Sequence, residues 1–293
     1  MNPEAKGTLD EYLAPRSLAE AVEALADGKG TVLAGGTDLM LQAEIGKTPY
    51  RGRLVNIRRV DGLRGVSEQD GRLRIGALTT VTDLLNDPLV AAKAPVLARA
   101  ADKFASNQIR NAATVGGNIC NASPAGDTIL PLLALDAEVE LASWQDGALC
   151  TRALPLDGFF TGPGATVMAP EELLGAVTFA VPADGRTARF LKSGPRPALE
   201  ISTVAAAMAF TNDGGTVRDV RLALGAVVPV PLRAKKTEAL LEGAELNDEL
   251  VEAAAQCAAD EVNPIDDVRA TAWYRKHLVT IYVRRLLQDD GEG

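Results

Sequence analysis

Two glycine pairs constrain this chain more than any other feature: Gly35-Gly36 in Val-Leu-Ala-Gly-Gly-Thr-Asp, and Gly116-Gly117 in Ala-Thr-Val-Gly-Gly-Asn. Each follows a short apolar run that reads as a strand or tight turn, and each is followed at once by Thr or Asn. Where side chains are missing, backbone amides can approach a ligand closely, and consecutive amides around such glycines form a concave anion site. A lone glycine pair marks an ordinary turn far more often than a ligand site. Two pairs, each with a hydroxyl or amide side chain beside it, predict a phosphate or diphosphate held between two loops.

What else the chain contains narrows the class. With 293 residues, 47% of them hydrophobic, it can bury one large core or two modest ones, and the different texture of its last hundred residues favours at least two domains. A net charge of -9, with no basic stretch to offset it, opposes binding to nucleic acid or to anionic membranes. Met1 to Tyr12 are polar and acidic, unlike a secretory signal, and the apolar run Ile129–Leu135 ends at Asp136, far short of a membrane span. Cys120, Cys150 and Cys257 are widely separated and make no disulfide framework. A cytoplasmic protein is expected. The single histidine, His277, leaves no His-based catalysis or metal site, and three cysteines are too few for an iron–sulfur cluster. Neither a Gly-x-Gly-x-x-Gly fingerprint nor a P-loop is present. A chain with so few tools for substrate chemistry must rely on a cofactor if it takes part in catalysis.

The pattern along the chain is mixed helix and strand. Ser17-Leu-Ala-Glu20 is a capping box opening a helix with Leu18, Val22 and Leu25 on one face. Strands are predicted at 31–34, 53–57, 72–77, 137–142 and 172–181, and helices at 38–45, 80–85 and 89–104. The polar segment 105–127 has little periodicity, but Ile109, Val115 and Ile119 punctuate it, so it is expected to be ordered and functional. A break falls at Pro182-Ala-Asp-Gly-Arg186. Strands follow at 188–192, 203–211 and 217–228, then helices at 234–241, 248–259 and 271–288. Strands followed by helices indicate an α+β domain.

The segment Phe104-Ala-Ser-Asn-Gln-Ile-Arg-Asn-Ala-Ala-Thr-Val-Gly-Gly-Asn-Ile-Cys-Asn-Ala-Ser-Pro-Ala-Gly-Asp127 closely resembles the flavin-binding segment of the molybdenum hydroxylases, the family of xanthine dehydrogenase and aerobic carbon monoxide dehydrogenase. Ala34-Gly-Gly-Thr-Asp38 resembles the family's other pyrophosphate loop. Phe159-Phe-Thr-Gly-Pro-Gly164, Phe190-Leu-Lys-Ser-Gly194 and Trp273-Tyr-Arg-Lys-His-Leu278 match further family segments in order. The likeness runs from about Leu9 to Leu287, and is to the separate flavin (medium) subunit. It implies an α+β fold: a two-lobed FAD-binding domain of the vanillyl-alcohol-oxidase type, residues 1–183 with lobes 1–58 and 59–183. A small C-terminal domain, 184–293, follows with a three-stranded sheet plus helices. It implies non-covalent FAD here, with the molybdenum–pterin cofactor and [2Fe-2S] clusters on a large and a small partner subunit, in a dimer of heterotrimers. Electrons from the clusters would reach NAD⁺, oxygen or another acceptor through the flavin.

Carried over residue by residue, the resemblance places Val32, Leu33, Ala34, Gly35, Gly36, Thr37 and Asp38 around the pyrophosphate from one lobe, and Thr114, Gly117 and Asn118 from the other. Phe104 and Leu174 would lie near the cofactor. Asp127 would accept from a cofactor hydroxyl, and Lys192 would stand near the flavin ring. Each has a plainer alternative: Asp127 as a helix cap, Lys192 as a solvated strand residue, Cys120 as a buried inert thiol. Arg110 is open between phosphate, partner and solvent. Gly-Gly-Thr-Asp replaces the Gly-Gly-Gln-Ser usual in carbon monoxide dehydrogenases, which favours a purine, N-heteroaromatic or aldehyde hydroxylase. No cysteine-rich insert of the hydroxybenzoyl-CoA reductase kind is present. The rival readings are a scaffold subunit that has lost its flavin and a stand-alone flavin oxidase of the same fold.

Overall fold

The computed structural model describes residues 9–47, 50, 52–196 and 200–288. Its first lobe runs β1 (Leu9–Leu13), α1 (Leu18–Glu23), β2 (Gly30–Leu33), α2 (Leu39–Glu44) and β3 (Gly52–Asn56). The strands pair in parallel in the order β1-β3-β2, as crossover connections require. The capping box forms as expected: the Glu20 amide donates to Ser17 Oγ at 3.2 Å, and the Ser17 amide donates back to the Glu20 carboxylate at 3.3 Å. Val22 of α1 and Leu25 in the turn after it join Val55 and Ile57 in one buried cluster. A one-turn 3-10 helix, Ile57–Arg59, leads out of β3.

The second lobe contains β4 (Val66–Gln69), β5 (Arg72–Gly76), α3 (Val81–Asn86), α4 (Pro88–Lys93), α5 (Pro95–Asp102), α6 (Asn107–Arg110), α7 (Val115–Asn121) and α8 (Ile129–Ala134). These are followed by β6 (Glu138–Gln145), β7 (Ala148–Pro155), β8 (Phe160–Gly162), β9 (Ala165–Thr166) and β10 (Leu173–Ala180). Its sheet is antiparallel, in the order β4-β5-β10-β6-β7. The single helix expected over 89–104 is two. Pro95 donates no amide and drives Ala94 out of the helical region, to φ -144, ψ 56. The segment 105–127 is ordered, as its apolar punctuation predicts: Ile119 of α7 is fully buried, and Ile109 of α6 packs against the same core. Leu63, Leu78, Ala142 and Leu173 join the first lobe's core, closing the seam between lobes.

The rest comprises β11 (Arg186–Ser193), β12 (Val204–Asp213), β13 (Thr216–Gly225), β14 (Leu232–Arg233), α9 (Lys235–Leu241), α10 (Asp248–Glu261) and α11 (Ala272–Leu287). The strands form an antiparallel meander in chain order: the three long strands expected, plus a two-residue fourth. Period-two alternation on β12 sorts its side chains between two cores. Ala205, Ala207 and Ala209 face the second lobe's core, while Val204, Ala206, Met208 and Phe210 face α10 and α11. The small residues on the first face let the sheet lie close to α8, and at Gly225 a Cβ would stand 2.9 Å from Leu130 Cδ1. Among the described residues, no helix is long and apolar enough to cross a membrane.

Candidate functional site: two glycine loops and a buried ion pair

β2 ends at Leu33, with Val32 half-buried on the first lobe's core, and the chain enters the first glycine loop at Ala34. The two glycines there serve different needs. Gly36 has φ +77, which side chains rarely adopt, and a Cβ on Gly35 would stand 2.2 Å from the Ala112 carbonyl oxygen. Gly35 thus lets this loop rest directly on the residues leading into the second loop. Among the described residues, the amides of Gly35, Gly36 and Thr37 donate to no protein acceptor. All three residues are half-buried, and three successive open amides make this loop a candidate site for an anion. Asp38 opens α2 without a capping bond, and burial pushes its carboxyl above the usual carboxylate range, against the opposing pull of Lys47.

The second loop is built differently. Thr114 caps α7: its Oγ1 accepts from the Gly117 amide at 3.0 Å, and its carbonyl accepts from the Asn118 amide at 2.9 Å. The amides of Val115 and Gly116 donate to the carbonyls of Thr79 and Ala77. Four successive amides are therefore taken, and the anion concavity expected around Gly116-Gly117 is corrected on this point. What this segment offers outward is side chains. Gly116 is glycine because a Cβ would lie 2.7 Å from Ala77 Cβ; a Cβ on Gly117 would meet only Thr114 Oγ1, at 2.9 Å. The loops are tied together a second time by Gln42 Nε2, which donates to Asn121 Oδ1 at 2.9 Å.

From there a polar chain leads to the ion pair. Asn118 Oδ1 accepts from Thr128 Oγ1 at 2.7 Å, beside Asp127. Asp127 Oδ2 receives Lys192 Nζ at 2.6 Å, and its Oδ1 receives Ser202 Oγ at 2.6 Å. Lys192 also donates to the carbonyls of Lys103 at 3.0 Å and Glu200 at 3.4 Å, so all three ammonium protons have acceptors. The Lys192 side chain is 2% exposed and that of Asp127 8%. Neither plainer alternative describes them: Lys192 is not a solvated lysine, and Thr128, not Asp127, stands at the N-cap of α8. Burial holds the Asp127 carboxyl above its ordinary value even though Lys192 and Ser202 pull it down.

The remaining sequence-predicted residues divide. Phe104 follows Lys103 and packs half-buried on the main core. Arg110 Nη1 donates to the carbonyls of Asp102 and Phe104, fastening that turn. Leu174 is buried in the main core, the same cluster as Ala113, Val115 and Ile119 of the second-loop segment, and pairs across strands with Leu141. Its neighbour Gly175 accepts from the amide of Ala77, the residue beneath Gly116. Cys120 is exposed, which corrects the expectation of a buried thiol; its Sγ lies 3.7 Å from Met168 Sδ. Desolvation by the surrounding protein nonetheless pushes that thiol up to about 12. Sequence reasoning missed Ser202 and Arg58. The Arg58 guanidinium donates through Nε to the Ala34 carbonyl at 2.6 Å and through Nη2 to the Gly35 carbonyl at 2.5 Å. No local pattern announces either residue, because their partners lie 75 and 24 or 23 positions away.

Residues 6–183 match the FAD binding domain in molybdopterin dehydrogenase, and residues 189–289 match the CO dehydrogenase flavoprotein C-terminal domain. The chain is 35% identical over 281 residues to the xanthine dehydrogenase FAD-binding subunit of Escherichia coli O157:H7, covering 95% of this chain and 94% of that one. It is 33% identical over 280 residues to the carbon monoxide dehydrogenase medium chain of Hydrogenophaga pseudoflava, covering 94% and 95%. Among solved structures, it superposes on a chain of the Hydrogenophaga pseudoflava carbon monoxide dehydrogenase that lacks the Mo-pyranopterin moiety, with TM-score 0.89 and 32% identity, over 95% and 96% of the two chains. On quinoline 2-oxidoreductase from Pseudomonas putida 86 the TM-score is 0.87 with 27% identity, over 96% of each. The loops that the fold brings together at Gly35 and Ala112 are thus carried in a chain that belongs, over nearly its whole length, to the FAD-binding subunits of the molybdenum hydroxylase family of oxidoreductases.

Proposed function

We propose that this chain is the electron-transferring FAD subunit of a three-part molybdenum hydroxylase, taking electrons from iron–sulfur clusters on a small subunit and delivering them to NAD⁺, oxygen or another acceptor. The observation that carries this reading is the run of open amides at Gly35, Gly36 and Thr37, set against the second lobe where Gly35 meets Ala112. Bound FAD would supply exchange between one-electron and two-electron carriers. Everything asked of the chain is then to hold, orient and shield. Val32 to Asp38 provide the amide side of a diphosphate cradle. Thr114, Gly117 and Asn118 provide its opposite wall, with the Thr114 hydroxyl and the Asn118 side chain as the polar groups. Phe104, Asp127, Leu174 and Lys192 are assigned to the rest of the cofactor.

In this reading residues 1–183 form the FAD domain, with lobes 1–58 and 59–183, and 184–293 the C-terminal domain. The partners are a small [2Fe-2S] subunit and a large molybdenum–pterin subunit, in a dimer of heterotrimers in the cytoplasm. The test is isolation from the native host followed by acid precipitation. One FAD per chain, released completely into the supernatant, with two co-purifying subunits, is the expected result. A colourless chain that takes up no FAD would establish the scaffold reading. A lone chain with full substrate-oxidising activity would establish a stand-alone oxidase.

A further inference from the structure

Arg58 has no role in the reading above, yet it is fastened to the first glycine loop at two points. The one-turn helix that carries it is itself fixed: Asn56 Oδ1 accepts from the Arg58 amide at 3.1 Å, and Asn56 Nδ2 donates to the Tyr12 hydroxyl at 2.7 Å. From that anchor, one guanidinium reaches the carbonyl oxygens of both Ala34 and Gly35. A trans peptide is planar, with its N–H pointing opposite to its C=O, and the described residues contain no cis peptide. Holding the Ala34 carbonyl therefore aims the Gly35 amide the other way, and holding the Gly35 carbonyl does the same for the Gly36 amide. Those are the first two of the three open donors. Guanidinium suits this task because it is a rigid planar fork, where an ammonium is a single point. The same group brings a positive charge next to Gly36, whose added Cβ would lie 3.6 Å from Nη2.

We propose that Arg58 is a positioning residue for diphosphate binding: its fork turns the Gly35 and Gly36 amides toward the phosphates, and its charge favours their approach. The inference rests on the FAD reading above and deepens it. The test uses the full chain, stripped of flavin, with affinities read for FAD, ADP and riboflavin. Arg58→Met is expected to weaken FAD and ADP by about tenfold or more, the scale of a lost charge-assisted hydrogen bond. Riboflavin, which has no diphosphate, is expected to change less than twofold. Arg58→Lys keeps the charge and loses the fork, and is expected to bind nearly as weakly as Arg58→Met. Arg58→Ala is expected to recover FAD binding in millimolar methylguanidinium but not in methylammonium. FAD affinity unchanged in Arg58→Met overturns the proposal, as does full wild-type affinity in Arg58→Lys, or equal losses for riboflavin and FAD. Failure of the unaltered chain to bind FAD would instead strike the functional reading, so the two failures are separable.

Discussion

Replacing Lys192 by Met removes the cation from a carboxylate that is almost wholly buried. In the intact protein Asp127 is held by Lys192 and Ser202 at 2.6 Å each, with side chains 2% exposed at the lysine and 8% at the aspartate. Breaking one side of a buried pair costs about 3–5 kcal/mol. The charge has a ceiling of its own, because Asp127 can escape it by taking a proton. From an ordinary value of about 3.9, that costs about 4 kcal/mol at about pH 7, and about 1.4 kcal/mol less for each unit the pH is lowered. Asp127 already sits above its ordinary value, and losing Lys192 pushes it further up. A carboxyl raised in the folded state destabilises above its unfolded pKa, and the penalty fades as pH falls toward that value. The Lys192→Met deficit should therefore shrink by about 2 kcal/mol between about pH 7 and about pH 5.5. Asp127→Asn combined with Lys192→Met should recover most of the loss, since no buried charge remains. Urea unfolding followed by fluorescence reads both sides of the pair, since Trp144 and Trp273, the two tryptophans, lie on β6 and α11. A deficit below about 1 kcal/mol at neutral pH, or one that does not move with pH, would refute the argument.

Gly35→Ala should lower FAD affinity more than Gly117→Ala, because its Cβ would meet a backbone carbonyl oxygen at 2.2 Å while that of Gly117 would meet only a hydroxyl at 2.9 Å; isothermal titration with FAD ranks them, and equal affinities would count against the loop contact. Asp38→Asn should tighten FAD at neutral pH and flatten its pH dependence. The wild-type carboxyl, already raised by burial, takes up a proton more readily beside a diphosphate, so wild-type affinity should rise as pH falls. Arg233→Met should cost about 3–5 kcal/mol, since its guanidinium is 3% exposed and pairs with Glu238 and Asp136, while Arg64→Met, removing an exposed pair with Asp83, should cost under about 1 kcal/mol; thermal unfolding distinguishes them.

What the sequence disclosed follows from how local each cause is. The Ser17–Glu20 box and the run of small and apolar residues on β12 are settled within a few positions, and both read correctly. The all-buried α8 carries no amphipathic stripe because every residue from Ile129 to Ala134 is enclosed, so period 3.6 had nothing to display. β1 and β7 were missed for the opposite reason: both are largely exposed and show no apolar alternation. At the site, the glycine pairs were legible because glycine answers a steric demand that no other residue meets. Their division of labour was not. Whether an amide is open or taken depends on Thr79 and Ala77, which approach Val115 and Gly116 from another element. Asp127 and Lys192 were both named, but 65 positions separate them, and only the docking of β11 onto the 103–127 segment makes them one group.

That docking also bears on what the break near Pro182–Arg186 divides. Along the chain it separates strand β10 from strand β11. In the core it separates little: Ala205, Ala207, Ala209 and Ala223 belong to the same buried cluster as Ile119 of α7 and Leu130 of α8. The polar contacts agree with the apolar ones, since Lys192 and Ser202 hold Asp127 from across the break, and Arg233 reaches back to Asp136 and to the Leu133 carbonyl. Cutting there would strip an apolar sheet face from α8 and leave Asp127 without its cation in one step. The later strands are thus a wall of the first domain's core, and the segment that carries Thr114, Asn118 and Asp127 is held between the two. In the proposed FAD reading, being held from both sides is what keeps the Thr114 hydroxyl and the Asn118 side chain in place where the segment's own amides are already committed.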